Sequence, residues 1–207
     1  MLLPGPDMSR AATFILLFCL TFNSFSGVVI METYIAFLRG INVSGQKIIK
    51  MEALRDAFLR EGFTGVKTYI QSGNVLFNST GLSESELPNR LEGLIVENFG
   101  FHTDVILRSR NEIESVLKAL EIIYSEREGE QKLYISFLKN AFSGNISLPL
   151  FSKHGDVEII YHNTRDFISL SHLHKGTYGF PNAFIEKFTG IPATTRNPQT
   201  LRKILDL

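Results

Sequence analysis

The sequence predicts an α+β fold built from two ferredoxin-like α-β plaits, each with the order βαββαβ, packed as one unit with the second plait degenerate. Three observations lead to this class. Residues 33–108 give the order in full, the same order returns less clearly after residue 131, and the strands of the first plait are apolar on both faces. In the first plait we expect strands over 33–39, 66–71, 74–79 and 102–108, and helices over 51–61 and 84–99.

The two helices of the first plait are predicted from apolar spacing and from residues that start or stop a helix. An apolar stripe at helical spacing begins at Met51 and ends before Gly62. The second helix follows Ser83 and Glu86, which have the spacing of a capping box, and it ends at Gly100.

The strands of this plait alternate too little for a sheet with one face in water. Residues 75–77 and 105–107 are apolar throughout, and in the first strand Phe37 and Leu38 point to opposite faces. Strands covered on both faces have this continuous apolar pattern. We therefore expect the second half of the chain to cover the face opposite the helices. This counts against an RNA-recognition domain, which needs an open sheet face with exposed aromatics.

A connecting helix that follows a capping box at Ser109 and Glu112 leads into the second plait. Asn182 is the predicted N-cap of a later helix, and Asn197, followed by proline, is the predicted N-cap of the last one. The crossover over 140–154 is expected to be a weak helix at best, because glycine and proline interrupt it. The remaining elements are strands over 132–138, 157–162, 166–171 and 193–196, and a helix over 183–189.

Residues 1–30 are predicted to be a leader outside the fold, which gives domains at 31–108 and 109–207. Residues 11–22 form an apolar run of 12 residues, too short for a membrane-spanning helix. The leader is read either as a secretory signal or as an extension upstream of a natural start at Met31. A start at Met31 implies a cytoplasmic protein, whereas a genuine signal implies export or membrane anchoring.

The composition limits the classes of partner. Lys and Arg number 21, as do Asp and Glu, so the net charge is zero. A protein that grips a nucleic-acid backbone usually carries a strong basic field, so nucleic acid is disfavoured as a partner. Cys19 is the only cysteine, which excludes an internal disulfide and a cysteine-based zinc site. We expect no membrane contact for the folded part, and the sequence leaves the oligomeric state open.

Four motifs stand out, at residues 34–43, 69–75, 179–182 and 193–197. In this order they resemble the bacterial family called domain of unknown function 1697. The resemblance extends from Met31 to about Leu205, and it implies a pair of α-β plaits with no established activity. It transfers no catalytic or binding residues.

The strongest site candidate follows from topology. In a split βαβ unit the first and second strands are parallel, so the loop after the first strand and the turn between the second and third share one edge. Glycines, amides and the cations Arg39 and Lys47 at this edge suit an anionic or phosphorylated small molecule. A tight turn tied to a long loop would need the same residue types. The edge gathers Arg39, Gly40, Asn42, Ser44, Gly45, Lys47, Gln71, Ser72, Gly73 and Asn74.

A second anion-site candidate is the segment Thr194, Thr195, Arg196 and Asn197, directly before a helix N-terminus. Ordinary helix capping with a surface arginine explains the same residues. His172 and His174 have a spacing compatible with metal binding, but nothing in the sequence demands a metal, and none is predicted. No dinucleotide-binding or nucleophile-elbow motif occurs, so no cofactor is predicted.

Three function classes remain open. The first is the binding of an anionic or phosphorylated small molecule at the edge formed by the 39–47 loop and the 71–74 turn. The second is an enzyme that transfers a group on an anionic substrate at the same edge. The third is a protein- or RNA-interaction module. The edge contains neither a carboxylate nor a histidine, which disfavours hydrolysis there and favours binding.

Overall fold

The computed structural model describes residues 31–43, 45–124 and 131–207, and residues 31–207 form one compact unit. The predicted leader and Ser44 lie outside the described residues. The described part contains five helices and three antiparallel sheets, so the predicted α+β class is confirmed. No helix within the described ranges is long and apolar enough to cross a membrane.

The first sheet has four strands in the order β2-β3-β1-β4, and every neighbouring pair is antiparallel. Strands β1 and β2 are therefore parallel to each other. The end of β1 meets the β2–β3 turn, where the Leu38 amide donates to the Gly73 carbonyl at 2.9 Å. The elements of this half are β1 (Glu32–Leu38), α1 (Met51–Arg60), β2 (Thr64–Tyr69), β3 (Asn74–Ser79), α2 (Leu87–Phe99) and β4 (Val105–Ser109).

Helix α2 and strand β4 each begin three residues later than the sequence predicts. The Glu86 carboxylate accepts from the Ser83 amide at 2.9 Å, as a capping box requires, but residues 84–86 form a turn and α2 starts at Leu87. Strand β4 starts at Val105 rather than at residue 102, because the preceding segment bonds to the end of β1 through Thr103 and Asp104. The hydroxyl of Thr103 donates to the Arg39 carbonyl, and the Arg39 amide donates to the Asp104 carbonyl.

The second large sheet has five strands in the order β11-β5-β8-β7-β6, again antiparallel throughout. Strands β9 and β10 form a separate small hairpin. The elements are α3 (Arg110–Tyr124), β5 (Lys132–Leu138), β6 (Leu150–Phe151), β7 (Val157–His162), β8 (Asp166–Ser171), β9 (Leu173–His174), β10 (Thr177–Tyr178), α4 (Pro181–Thr189), β11 (Ala193–Arg196) and α5 (Pro198–Leu205).

The structure corrects two predictions in this half. The crossover over 140–154 contains no helix; it is irregular except for β6, which extends the edge of the sheet. Helix α4 begins at Pro181 and its N-cap is Phe180, not Asn182, because proline is favoured at the first helical position. The Asn197 cap is confirmed, since its side chain accepts from the Thr200 amide at 2.7 Å.

Both faces of the first sheet are buried, as its apolar strands predict. Ala36 and Leu38 belong to a cluster that includes the inner faces of α1 and α2. Ile35 and Phe37 belong to a second cluster that includes α3, α5 and the second sheet. The ring of Phe37 stacks on that of Phe137, with centroids 4.9 Å apart. The second half of the chain therefore forms the other side of the core.

A fully buried arginine links the two sheets. The Arg108 Nε, at the end of β4, donates to Asp166 Oδ1 at 2.8 Å, and its Nη2 donates to the carbonyls of Leu138 and Arg165 at 3.0 and 2.7 Å. Its guanidinium carbon lies 5.4 Å from the centre of the Phe137 ring. Burial lowers the pKa of Arg108, and the charge of Asp166 opposes that shift. The pair joins the edge strand of one sheet to the centre of the other.

Replacing Arg108 by methionine is expected to lower the free energy of unfolding by about 3–5 kcal/mol, because Asp166 then stays buried without its cation. Urea denaturation monitored by circular dichroism measures this loss. Arg202→Met is the control, since the contact described for the Arg202 side chain is an exposed 3.3 Å ion pair with Glu121 that is worth about 0–1 kcal/mol. Equal losses in the two variants would contradict a structural role for the buried pair.

Candidate functional site

The loop after β1 is held by one asparagine. Asn42 Nδ2 donates to the carbonyls of Ile49 and Gln71 at 3.0 and 2.8 Å, and its Oδ1 accepts from the Ile49 amide at 2.8 Å. Its φ of 55° lies in the left-handed region, which asparagine tolerates better than most residues. Asn42 thus ties the loop to the β2–β3 turn, and its described contacts use both polar atoms of the side chain.

The β2–β3 turn depends on Gly73 and on the buried side chain of Asn74. Gly73 has a φ of 73°, and a Cβ there would lie 2.8–2.9 Å from side-chain atoms of Ile41 and Leu38. Asn74 Nδ2 donates to the Tyr69 carbonyl at 3.1 Å and to Ser72 Oγ at 2.9 Å. The turn is therefore closely packed, and it presents the Asn74 Oδ1 and the Ser72 carbonyl to the second half of the chain.

Arg196, the last residue of β11, meets this turn. The two site candidates that the sequence gives separately are thus neighbours in the structure. Every hydrogen-bond acceptor described for the guanidinium is uncharged, and its carbon lies 5.3 Å from the Phe37 ring centre. The acceptors are Asn74 Oδ1 at 2.7 Å, Thr194 Oγ1 at 2.7 Å, the Thr195 carbonyl at 2.8 Å and the Ser72 carbonyl at 3.0 Å.

Arg196 and Arg39 differ in how their charges are balanced. Burial lowers the pKa of Arg196 to about 10, so the side chain remains a cation at neutral pH. Within the described ranges no carboxylate forms an ion pair with it. Arg39 instead bonds both oxygens of Glu186, at 2.8 and 3.1 Å, and lies 3.8 Å from Asp104. The hydrogen bonds that Arg39 donates to the Glu186 carboxylate raise the pKa of Arg39.

A pocket of about 370 Å³ opens beside these two arginines, at the end of β1 and β11. We call it the Arg196 pocket. Its wall combines apolar side chains with amides, hydroxyls and the two guanidinium groups. It is lined by Leu38, Arg39, Gly40, Ile41, Val43, Ser72, Phe180, Asn182, Ala193, Thr194, Thr195 and Arg196.

The start of α4 adds a further polar group to this pocket. Helix α4 has no side-chain N-cap, and its second residue, Asn182, lines the pocket. Asn182 Oδ1 accepts from the Thr195 hydroxyl at 3.0 Å. This contact fixes the amide and leaves its Nδ2 with no hydrogen-bond acceptor in the part of the chain that is described. The sequence could not place Phe180 and Asn182 here, because their position depends on the pairing of β11 with β5.

A larger pocket of about 670 Å³ lies elsewhere, but its cations are already paired. Lys139 contacts Glu92 and Asp104, each at 2.7 Å, and Arg165 contacts Glu84 at 2.6 Å. Burial raises the pKa of Asp104, but the hydrogen bond and charge of Lys139, with the charge of Arg39, more than offset that and leave it below its usual value. An anion would meet no uncompensated cation there.

The other predicted site residues have different roles. Lys47 Nζ donates to the His102 carbonyl at 2.8 Å and does not line the Arg196 pocket. Gln71 contributes its backbone carbonyl to Asn42, and Asn197 caps α5. Among the described residues, no group of three or more His, Cys, Asp or Glu side chains is arranged to hold a metal ion.

Comparisons with known proteins give a family and a fold. The family model described as "Protein of unknown function (DUF1697)" matches residues 31–167, which confirms the predicted family. No curated protein matches the chain. Among solved structures, the chain is similar to a conserved bacterial protein from Streptococcus pneumoniae at 22% identity, with a TM-score of 0.60, over 86% of this chain and 98% of that one. At this identity the likeness shows the fold alone.

Gly73→Ala is expected to lower the free energy of unfolding by about 2–4 kcal/mol, from left-handed strain together with overpacking against Ile41 and Leu38. Gly40→Ala is the matched control. Gly40 has a φ of 67°, but a Cβ there meets nothing within 4 Å. It should cost only the strain, about 1–2 kcal/mol. Chemical denaturation of both variants gives the difference, and equal losses would show that the turn is not closely packed.

Proposed function

The chain belongs to the family of proteins of unknown function DUF1697, and we propose that it binds a small anionic molecule in the Arg196 pocket. The observation that carries this proposal is a partly buried guanidinium at the pocket wall whose described acceptors are all neutral. Removing a charge from water is costly unless an opposite charge compensates it. A bound anion supplies that compensation.

The donors around the pocket support the same function. Arg196 Nη2 carries two N–H groups, and one hydrogen bond from this atom, to the Ser72 carbonyl, is described. The Asn182 amide is held by Thr195 with its nitrogen open to a ligand. Hydrogen bonds from fixed, charged or amide donors to an anion are short and strong. Most of the wall is preorganised, because these side chains are already held by contacts within the protein.

Binding accounts for the pocket better than catalysis does. The side chains that line it include no carboxylate, histidine, lysine or cysteine, so the described wall offers no general acid or base near neutral pH. An enzyme that transfers a group on an anionic substrate would have to rely on the substrate itself for proton transfer. The RNA-interaction alternative loses its usual platform, because both faces of the first sheet are buried.

We also infer that each large sheet belongs to a ferredoxin-like plait, with the first over 31–108, the second over 109–207 and residues 1–30 as a leader. The strand orders support this. Read from the fourth strand of each plait, they are β4-β1-β3-β2 and β11-β5-β8-β7, so each sheet has the order fourth, first, third, second. The second plait is degenerate because its first crossover lacks a helix and because β6 extends its edge. The candidate pocket lies where the two plaits meet.

Titration of the protein with acetate and with inorganic phosphate tests the proposed function. In ¹H–¹⁵N spectra, we expect the Arg196 Nε–H and Asn182 side-chain amide signals to shift with a Kd on the order of 1 mM for at least one anion. The exposed Arg202 Nε–H is an internal control that should not shift. Acetamide, which has no charge, should leave all three unchanged.

Arg196→Met is expected to abolish these shifts at Asn182, whereas Arg202→Met should retain them. Arg196→Met is also expected to be less stable, since it loses the contacts to Ser72 and Asn74. The titration of the unmodified protein is decisive if that variant does not fold. Absence of any saturable shift with both anions, or equal shifts with acetamide, would refute the proposal.

A further inference from the structure

We propose that the ligand of the Arg196 pocket is a monocarboxylate attached to an aromatic or heteroaromatic ring. This inference rests on the proposed function and specifies its ligand class. Two features of the wall carry it: the balance of charge around the two arginines, and an exposed aromatic ring beside them.

The charge balance favours a ligand with one negative charge. Arg39 and Arg196 are the only ionisable side chains among the described residues that line the pocket. Glu186 holds the Nε and Nη2 of Arg39 and neutralises its charge, which leaves Arg196 as the single uncompensated cation. A phosphate monoester carries about 1.5–2 negative charges at neutral pH, and a polyphosphate carries more. A carboxylate carries one and matches Arg196 without leaving excess charge in a partly desolvated site.

The donor arrangement suits the two oxygens of a carboxylate. Arg196 Nη2 and Asn182 Nδ2 are N–H donors on different elements, β11 and α4, that line the same pocket. The Thr194 hydroxyl accepts from Arg196 Nη1 at 2.7 Å, so its own hydrogen is free to point to a third partner. Three donors satisfy one carboxylate but only part of a phosphate, whose three terminal oxygens need more partners.

The apolar part of the wall suits a flat ring. Phe180 is 58% exposed and Val43 is 58% exposed, although both line the pocket and are large apolar side chains. The Phe180 ring is held edge-to-face against Tyr134, with centroids 5.5 Å apart and planes at 84°. A ligand ring that packs against Phe180 removes this apolar surface from water and gains an aromatic contact. The volume of about 370 Å³ lies near the lower end for small-molecule sites, which suits a one- or two-ring compound.

The experiment compares four probes on the full chain by isothermal titration calorimetry: benzoate, acetate, benzamide and phenyl phosphate. Benzoate should bind at least tenfold more tightly than acetate, because only benzoate has a ring. It should also bind more tightly than phenyl phosphate, which has the same ring with a larger charge. Benzamide, which has the ring without the charge, should not bind measurably.

Phe180→Ala separates the ring contribution from the charge contribution. The Phe180 side chain makes no capping hydrogen bond to α4 and is largely exposed, so its loss should leave the fold intact. We expect benzoate affinity to fall about threefold to tenfold in this variant and acetate affinity to stay unchanged. Phe151→Ala is the matched control, since Phe151 is 51% exposed in β6 and does not line the pocket.

Each outcome distinguishes the ligand class from the proposed function. If acetate and benzoate bind equally at Arg196, or phenyl phosphate binds best, the function stands and the aromatic monocarboxylate is excluded. An unchanged benzoate affinity in Phe180→Ala would also exclude it. If none of the charged probes binds, both proposals fail.

Discussion

The buried pair of Arg108 and Asp166 is the interaction on which the arrangement of the two halves depends. It lies beside an apolar cluster to which both sheets contribute, and its directional hydrogen bonds fix the position of one sheet relative to the other. The same guanidinium also donates hydrogen bonds to the carbonyls of Leu138, at the end of β5, and of Arg165, just before β8. Apolar packing alone tolerates small slips between surfaces, whereas a buried charge with fixed partners does not. The position of β5 relative to β1 is thereby defined.

The Arg196 pocket is a consequence of that arrangement. Strand β11 pairs with β5, so the position of β5 decides where Arg196 lies relative to the β2–β3 turn. Asn74 and Ser72 then accept hydrogen bonds from the Arg196 guanidinium, although Arg196 is more than 120 positions away in sequence. Neither half contains the pocket by itself. Its apolar floor comes from the end of β1 and the following loop, whereas its uncompensated charge comes from β11.

The sequence was sufficient for most of the local elements and for the sharing of one sheet end by two loops, because periodicity, capping residues and strand order act over short distances. Three of the central strands, β5, β7 and β8, have the predicted bounds. The pairing of Arg39 with Glu186 was not predictable, since it depends on where α4 packs. For the same reason the sequence placed Arg39 and Arg196 in separate candidate sites. Charge compensation is a property of the folded state, and residue types alone do not indicate which arginine keeps an unpaired charge.

The burial of both faces of the first sheet has a consequence for biosynthesis. Strand β1 leaves the ribosome long before the residues that bury its Phe37 side chain. The apolar cluster around Phe37 includes Phe137, Leu201 and Ile204. At a translation rate of about 5–20 residues per second, the hundred positions from Phe37 to Phe137 take about 5–20 s to appear. During that interval the nascent chain carries an unprotected apolar surface, which is the kind of surface that chaperones recognise. Helix α5 contributes Leu201 and Ile204 to this cover, so a chain truncated before residue 198 leaves part of the core open to water.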